Sequence, residues 1–189
     1  MQGKMGHTDK LVPSLRAVPI SNSKYPKVLS SDWVAPNAVL IGDITMGQGS
    51  SAWHGATFRG DLNKIRIGKN SMVQDNAHVG GGVTIGDNVF VGPNTQLDSC
   101  RLDSFSYVGM GATVGEGAVV ESFGVVAAGA NVEPGTTVPS GQIYAGSPAR
   151  YLRDLTQHEK HVIGEHHLEM QQLAQVYNEN TELTLREQI

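Results

Sequence analysis

A single cysteine, Cys100, stands in a chain of 189 residues, so no disulfide can form within it. That scarcity fits an intracellular or organellar compartment and leaves Cys100 as a small packing residue, not a reactive thiol. Positive charge is also short: 14 Lys and Arg against 18 Asp and Glu give a formal net charge of −4. Such a balance excludes the basic footprint of a nucleic-acid-binding domain. Long apolar runs are missing as well, and none approaches the roughly 18 residues that a membrane-spanning helix needs. Glycine is what the chain has in abundance, 23 residues. They recur in phase instead of clustering, which reads as the turns of a repeat and not as a flexible linker.

The phase is a beat of six residues. One apolar side chain opens block after block: Val34, Leu40, Met46, Ala52 and Phe58, then Ile67, Val73, Val79, Ile85, Val91 and Leu97, then Val108, Val114, Val120, Val126, Val132 and Val138. Four places after the opener stands a small or β-branched residue, such as Ala38, Ala56, Ser71, Ala77, Thr95, Ala112, Ala118 or Ala130. A period of six matches neither a helix nor a simple strand. Each hexad therefore reads as a short strand and a tight turn, with Gly, Asn or Asp in the left-handed turn positions. Three hexads close one coil of about 18 residues, and about six coils stack into a triangular prism with the openers pointing inward. The beat slips twice. Phe58 to Ile67 spans nine residues, which predicts an extruded loop around Asp61–Arg66, and Leu97 to Val108 spans eleven, one short of two hexads.

Three segments result: an N-terminal extension over residues 1–30, the prism over 31–149, and a C-terminal helix and tail over 150–189. The extension is basic, with Lys4, Lys10, Arg16, Lys24 and Lys27 against Asp9. It suits either the remnant of an organelle-targeting segment or an arm that wraps a neighbouring chain. From residue 150 the period turns helical. Thr156 and Glu159 make a capping box, and Ile163, His166, Met170, Leu173, Ala174 and Tyr177 follow at three- and four-residue spacing. That stripe is expected to pack along the prism or across a subunit boundary.

The prism also carries groups that a bare solenoid does not need. They are Trp53-His54-Gly55-Ala56, Phe58-Arg59-Gly60-Asp61, Gln74-Asp75-Asn76, Val108-Gly109-Met110-Gly111-Ala112 and Ala145-Gly146-Ser147-Pro148-Ala149-Arg150. These linked motifs resemble the γ-class carbonic anhydrase family across residues 30–155. The resemblance implies an all-β solenoid, a left-handed parallel β-helix of hexapeptide repeats, despite the general preference for right-handed crossovers. It also implies a trimer with zinc at each subunit boundary, held by three histidines from two neighbouring chains. Three neutral imidazoles leave a fourth position for a water whose pKa falls to about 7, giving hydroxide to attack CO2.

Against that pattern, the ligand positions fall on Gly80, Pro93 and Asp98. The first two offer no metal-binding side chain, and a lone Asp98 cannot hold zinc against water. The loop that family members commonly carry after the first ligand is missing too, because Val79-Gly80-Gly81-Gly82-Val83-Thr84-Ile85 passes as a plain hexad. In the family the arginine and aspartate form an ion pair near the boundary, and the glutamine and asparagine orient metal-bound solvent. Here Arg59, Asp61, Gln74 and Asn76 are read as vestigial, holding an interface by hydrogen bonds. His54 and His78 are expected in surface or interface hydrogen bonding, and His158, His161, His166 and His167 on an exposed polar helix face.

The expectation is therefore a chain that is not an enzyme, with no catalytic or cofactor-binding residue and no metal of its own. Any zinc would belong to an interface between partner subunits. The resemblance points to the carbonic-anhydrase-like subunits of a heterotrimer attached to the membrane arm of mitochondrial respiratory complex I, peripheral on the matrix side of the inner membrane. The alternative is an active γ-type carbonic anhydrase or related hexapeptide-repeat enzyme with a metal site rebuilt from His54, His78 and Asp98. An acyltransferase would need a catalytic histidine in a coil loop, with His54 as candidate. A free homotrimer with a binding role differs from the first reading mainly in partner.

Overall fold

The computed structural model describes residues 17–21, 24–28 and 33–187. Parallel strands climb the three faces of a prism through about six coils. The first face stacks Trp33–Val34, Ser51–Ala52, Met72–Val73, Phe90–Val91, Tyr107–Val108, Val125–Val126 and Gln142–Ala145. The second begins with the leading halves of Val39–Met46 and Thr57–Ile67 and continues through His78–Gly80, Gln96–Asp98, Thr113–Val114 and Asn131–Val132. The third takes the trailing halves of those two long strands, then Thr84–Ile85, Arg101–Leu102, Val119–Val120 and Thr137–Val138.

Register puts opener on opener. Leu40, Phe58, Val79, Leu97, Val114 and Val132 are successive partners on the second face, all buried. Each such side chain contributes roughly 1.5–3 kcal/mol of burial. The small residues at the fifth place close the corners, and Ala56, Ser71, Thr95 and Ala118 are 0% exposed. Cys100 is buried among them, and burial pushes its thiol up to about 12.

The first slip takes a form different from the expected one. It is not a separate loop: Thr57–Ile67 runs as one strand around the corner, shifting register against Val39–Met46 between Gly42 and Ile44. The extra residues bulge outward, leaving Leu62 80% exposed. At the second slip Leu102 is an opener, 0% exposed, five residues after Leu97. The shortened corner before it is turned by Ser99 at φ 46.

The edge joining third face to first needs left-handed backbone at every coil. Gly49, Asn70, Asn88 and Gly141 supply it, but Phe105 (φ 64) and Phe123 (φ 59) also adopt it. For residues with a bulky side chain this costs roughly 1 kcal/mol each.

Both ends of the prism are capped by the chain itself. Ala17–Val18 pairs with Leu40 and Ile41, and Lys27 bridges to Thr45. These parts of the extension thus cover their own first coil, because an open strand edge leaves N–H and C=O groups unpaired. Lys4, Asp9, Lys10 and Arg16 lie outside the described residues. At the far end Arg150–Asp154 is not helical but pairs antiparallel with Gln142–Ala145.

The helix, Gln157–Glu187, begins after the expected capping box. The Thr156 amide donates to Glu159 Oε2 at 2.9 Å, and the Glu159 amide donates to Thr156 Oγ1 at 3.2 Å. Arg153 forks onto the same carboxylate at 2.8 and 2.6 Å, and with Thr156 holds it down at about 2. The helix then lies back along the first face, with His166 on Phe90 at 4.8 Å and Tyr177 on Trp33 at 5.3 Å. Its contact stripe is rotated from the expected one. His167 and Ala174 are buried, whereas Leu173 and Tyr177 are each 40% exposed. The His167 Nδ1–H donates to the Ile163 carbonyl at 2.7 Å, and burial pushes the imidazole pKa down. His166 and His167 therefore belong to the packing seam and not to an exposed polar face; His158 and His161 are exposed. Among the described residues no helix is long and apolar enough to cross a membrane.

Candidate functional site

A groove of about 620 Å³ runs along the second face, lined by Arg59, Asp61, His78, Gly80, Gln96 and Asp98 in its first coils and by Glu116 further up. Strand register builds it. Arg59, Gly80 and Asp98 are successive partners in one row, and Thr57, His78, Gln96 and Thr113 in the next, so these side chains share the outer surface of one sheet. The row Arg59–Gly80–Asp98 contains two of the three expected ligand positions. At its start Arg59 grips Asp61, Nε to Oδ1 at 3.3 Å and Nη2 to Oδ2 at 2.5 Å. The guanidinium holds the Asp61 carboxyl below its usual range.

His78 and Gly80 sit two apart on one strand, so both point outward. A β-carbon at Gly80 would stand 3.2 Å from His78 Nε2, which means the imidazole lies over the position of the first expected ligand. Asp98 is engaged sideways. The Ser99 hydroxyl lies 3.1 Å from Asp98 Oδ1 and 2.7 Å from the Gly81 carbonyl oxygen. The Ser99 amide also donates to the Gly80 carbonyl at 3.1 Å. Gly81, at φ 70, is the only residue type that leaves room there, since a β-carbon would collide with both Asp98 and Ser99.

The remaining positions do not line this groove. Gln74, Asn76 and Pro93 occupy the corner between first and second faces. Gln74 is 4% exposed and its Nε2 has no hydrogen-bond partner among the described residues. Asn76 turns that corner at φ 54, its amide donating to the His54 carbonyl at 2.8 Å. His54 is tied down at the same corner. Its Nδ1–H donates to Asn37 Oδ1 at 3.1 Å, and its ring stands 5.6 Å from Trp33 and 6.1 Å from Tyr177. A metal site from His54, His78 and Asp98 is thus not assembled within one chain. Among the described residues no three His, Cys, Asp or Glu side chains are placed to hold a metal ion.

Zinc in a three-histidine cage does not fit the residues present. One imidazole and one carboxylate already bonded to Ser99 offer neither the number nor the geometry of such a site. What the groove does offer is a flat row of hydrogen-bonding groups (His78, Gln96, Thr113) and a forked ion pair, suited to seating polar groups of another surface. Gln96, Ser99 and Glu116 escaped the sequence reading; the short corner at Ser99 was the one available signal.

The bacterial transferase hexapeptide (six repeats) family matches residues 64–99. Mitochondrial γ carbonic anhydrases and γ carbonic anhydrase-like proteins of Arabidopsis thaliana are among the relatives. Gamma carbonic anhydrase 1, mitochondrial, is 41% identical over 164 residues, 82% of this chain and 60% of the relative. The probable carbonic anhydrase of Methanocaldococcus jannaschii is 41% identical over 146 residues, 75% of this chain and 92% of that protein. A hexapeptide transferase family protein from Anaplasma phagocytophilum superposes with a TM-score of 0.82 at 36% identity, covering 85% of this chain and 97% of the other. The chain spans about three fifths of the length of the Arabidopsis relatives. A hexad prism, a second-face row holding the Arg59–Asp61 pair, and these identities lead to one family: the chain belongs to the γ-class carbonic anhydrase family of hexapeptide-repeat proteins.

Proposed function

We propose that the chain is a catalytically silent γ-carbonic-anhydrase-like subunit that serves assembly, one member of a heterotrimer on the matrix side of mitochondrial respiratory complex I. The observation that carries this reading is the state of the three ligand positions. Gly80 lies under the His78 ring, Asp98 is bonded to Ser99, and Pro93 has no donor atom to give. The mitochondrial relatives support the compartment. The second-face groove with Arg59–Asp61, and the corner with Gln74 and Asn76, are then the two halves of the boundary between neighbouring chains. The buried, unpartnered Gln74 amide supports this, since a buried donor calls for an acceptor.

A site shared by two chains has an arithmetic consequence. One copy of this subunit in a trimer removes ligands from both boundaries it forms and leaves only the third able to hold zinc. Native mass spectrometry with metal analysis of the purified assembly tests this. A heterotrimer with a single zinc is expected, and zinc at all three boundaries overturns the reading.

A second reading, an active metal enzyme, is favoured by one observation: His78 presents an imidazole where the first ligand would project. CO2 hydration by the full chain, with and without added Zn2+ or Fe2+, separates the two. Metal-dependent turnover abolished by His78→Ala would establish the second.

A further inference from the structure

The edge between third and first faces departs from its own turn chemistry at two successive coils. We propose that this edge, together with the flank of the C-terminal helix beside it, is a docking groove for an amphipathic helical segment of another protein that brings apolar side chains and a carboxylate. Four of the left-handed positions on this edge hold Gly or Asn, whereas Phe105 and Phe123 occupy the other two. A bulky residue in left-handed backbone is unfavourable where Asn would be at ease. Burial offsets only part of this cost, because Phe105 remains 40% exposed and Phe123 is half-buried. The two rings stack at 5.1 Å with 3° between their planes, and Phe105 of the pair lines the groove beside it. Local strain of this kind, kept at positions where Asn would be at ease, points to a use outside the fold.

The opposite wall is the helix. A mainly apolar groove of about 400 Å³ separates Phe105 from the helix residues Lys160, Gly164 and Leu168 and extends to Gln171. Leu168 is 61% exposed, and a β-carbon at Gly164 would meet nothing within 4 Å. Lys160 to Gln171 spans roughly 16 Å at 1.5 Å per residue, enough for about three turns of a guest helix with anchors at i, i+3 or i+4, and i+7. Charge sets the guest's polarity. Glu165, which also lines the groove, lies 3.2 Å from His161 in a contact that is an ion pair only when the imidazole is protonated, while Lys160 has no carboxylate partner among the described residues. A guest carboxylate near Lys160 completes the groove. Among the described residues a second copy of this chain has no free helix to offer, since the one helix described is already seated on the first face.

The test uses the full chain and two labelled helical peptides, each with leucines on one face and differing only by a Glu or a Lys at the end meant to meet Lys160. Fluorescence anisotropy should show the Glu peptide binding at least tenfold more tightly. Replacing Phe105→Asn and Phe123→Asn together should leave the melting temperature unchanged or higher, because Asn suits the left-handed turn, yet weaken binding at least tenfold. Lys160→Glu should reverse the preference between peptides. Equal binding to wild type and to the Asn double variant overturns the proposal, as does no binding at all. Sedimentation showing that the peptide-free chain associates through this patch, and that the double variant abolishes it, also overturns it, by making a second copy the occupant.

Discussion

The imidazole of His78 lies over Gly80, its Nε2 only 3.2 Å from where a β-carbon at that position would stand. One residue further on, a β-carbon at Gly81 would run into Asp98 and Ser99. The two glycines are neighbours in sequence with opposite tolerances. Behind Gly80 is the end of an exposed side chain that can swing away. Gly81 faces a bonded cluster and holds a φ of 70. Gly80→Ala is expected to leave stability within about 0.5 kcal/mol. Gly81→Ala should cost roughly 2 kcal/mol or more, from left-handed strain and the collision together. Thermal melts of the two variants check this; equal losses would show that His78 is held as firmly as Ser99.

Rebuilding the ligand set asks whether only the ligands are gone. Gly80→His, Pro93→His and Asp98→His together, with His78→Ala to clear the ring, should yield a chain that takes up zinc when it forms trimers. Metal content after dialysis is the measurement. Zinc uptake by the variant carrying all four substitutions and none by any single variant is expected. No uptake by the full set would show that the second-face groove has itself departed from the shape of a metal site.

The helix seam should respond to acid. Burial lowers the His167 pKa from an ordinary 6.5, with His166 beside it acting in the same direction. The unfolded chain then takes up the proton first, so the seam is most stable above the unfolded value and weakens as pH falls through 6.5 towards the folded one. Tyr177 packs on Trp33 and Trp53 at the far end of the helix, so tryptophan fluorescence reports undocking. A change between pH 7 and pH 5 that His167→Phe removes is the expected result.

The other end of the helix has a lower window. Glu159 falls from an ordinary 4.5 to about 2, first through the Arg153 fork and then through Thr156. Its contribution is present above the ordinary value and is lost as pH drops from 4.5 towards 2. Circular dichroism between pH 5 and pH 2 should show the first turn fraying late, near the bottom of that range. In Glu159→Gln the same signal should already be reduced at neutral pH, because the charged bonds to Arg153 are gone.

Much of this molecule was legible as a pattern in one dimension. The openers from Leu40 to Val138 are the residues that stack inside the prism, since a six-residue spacing returns the chain to the same orientation at each face. The capping box at Thr156 and Glu159 was equally readable, being a contact between residues three apart. The short corner was legible as a span one residue short, but not its opener Leu102, because a single missing residue hides an opener from a counting rule. The basic extension gave no hint that Ala17–Val18 and Lys27 would cover the chain's own first coil. That choice depends on a free strand edge which exists only after the prism has formed.

Sequence alone therefore determined the hexapeptide architecture and the identity of the residues at the three ligand positions, Gly80, Pro93 and Asp98. The first follows from spacing and the second from the family resemblance of motifs that the same spacing keeps in register, and both survive in a string. Only the tertiary structure decided which of them meet. It sets Gly80 beside Asp98 in one row of the second face, leaves Pro93 with Gln74 and Asn76 on a corner, lays His78 over Gly80, and draws His54 away under the helix. It also buried His167 in a seam and exposed Phe105 on an edge. These outcomes depend on contacts between coils and on the angle at which the helix returns, and neither is encoded in the period of any single segment.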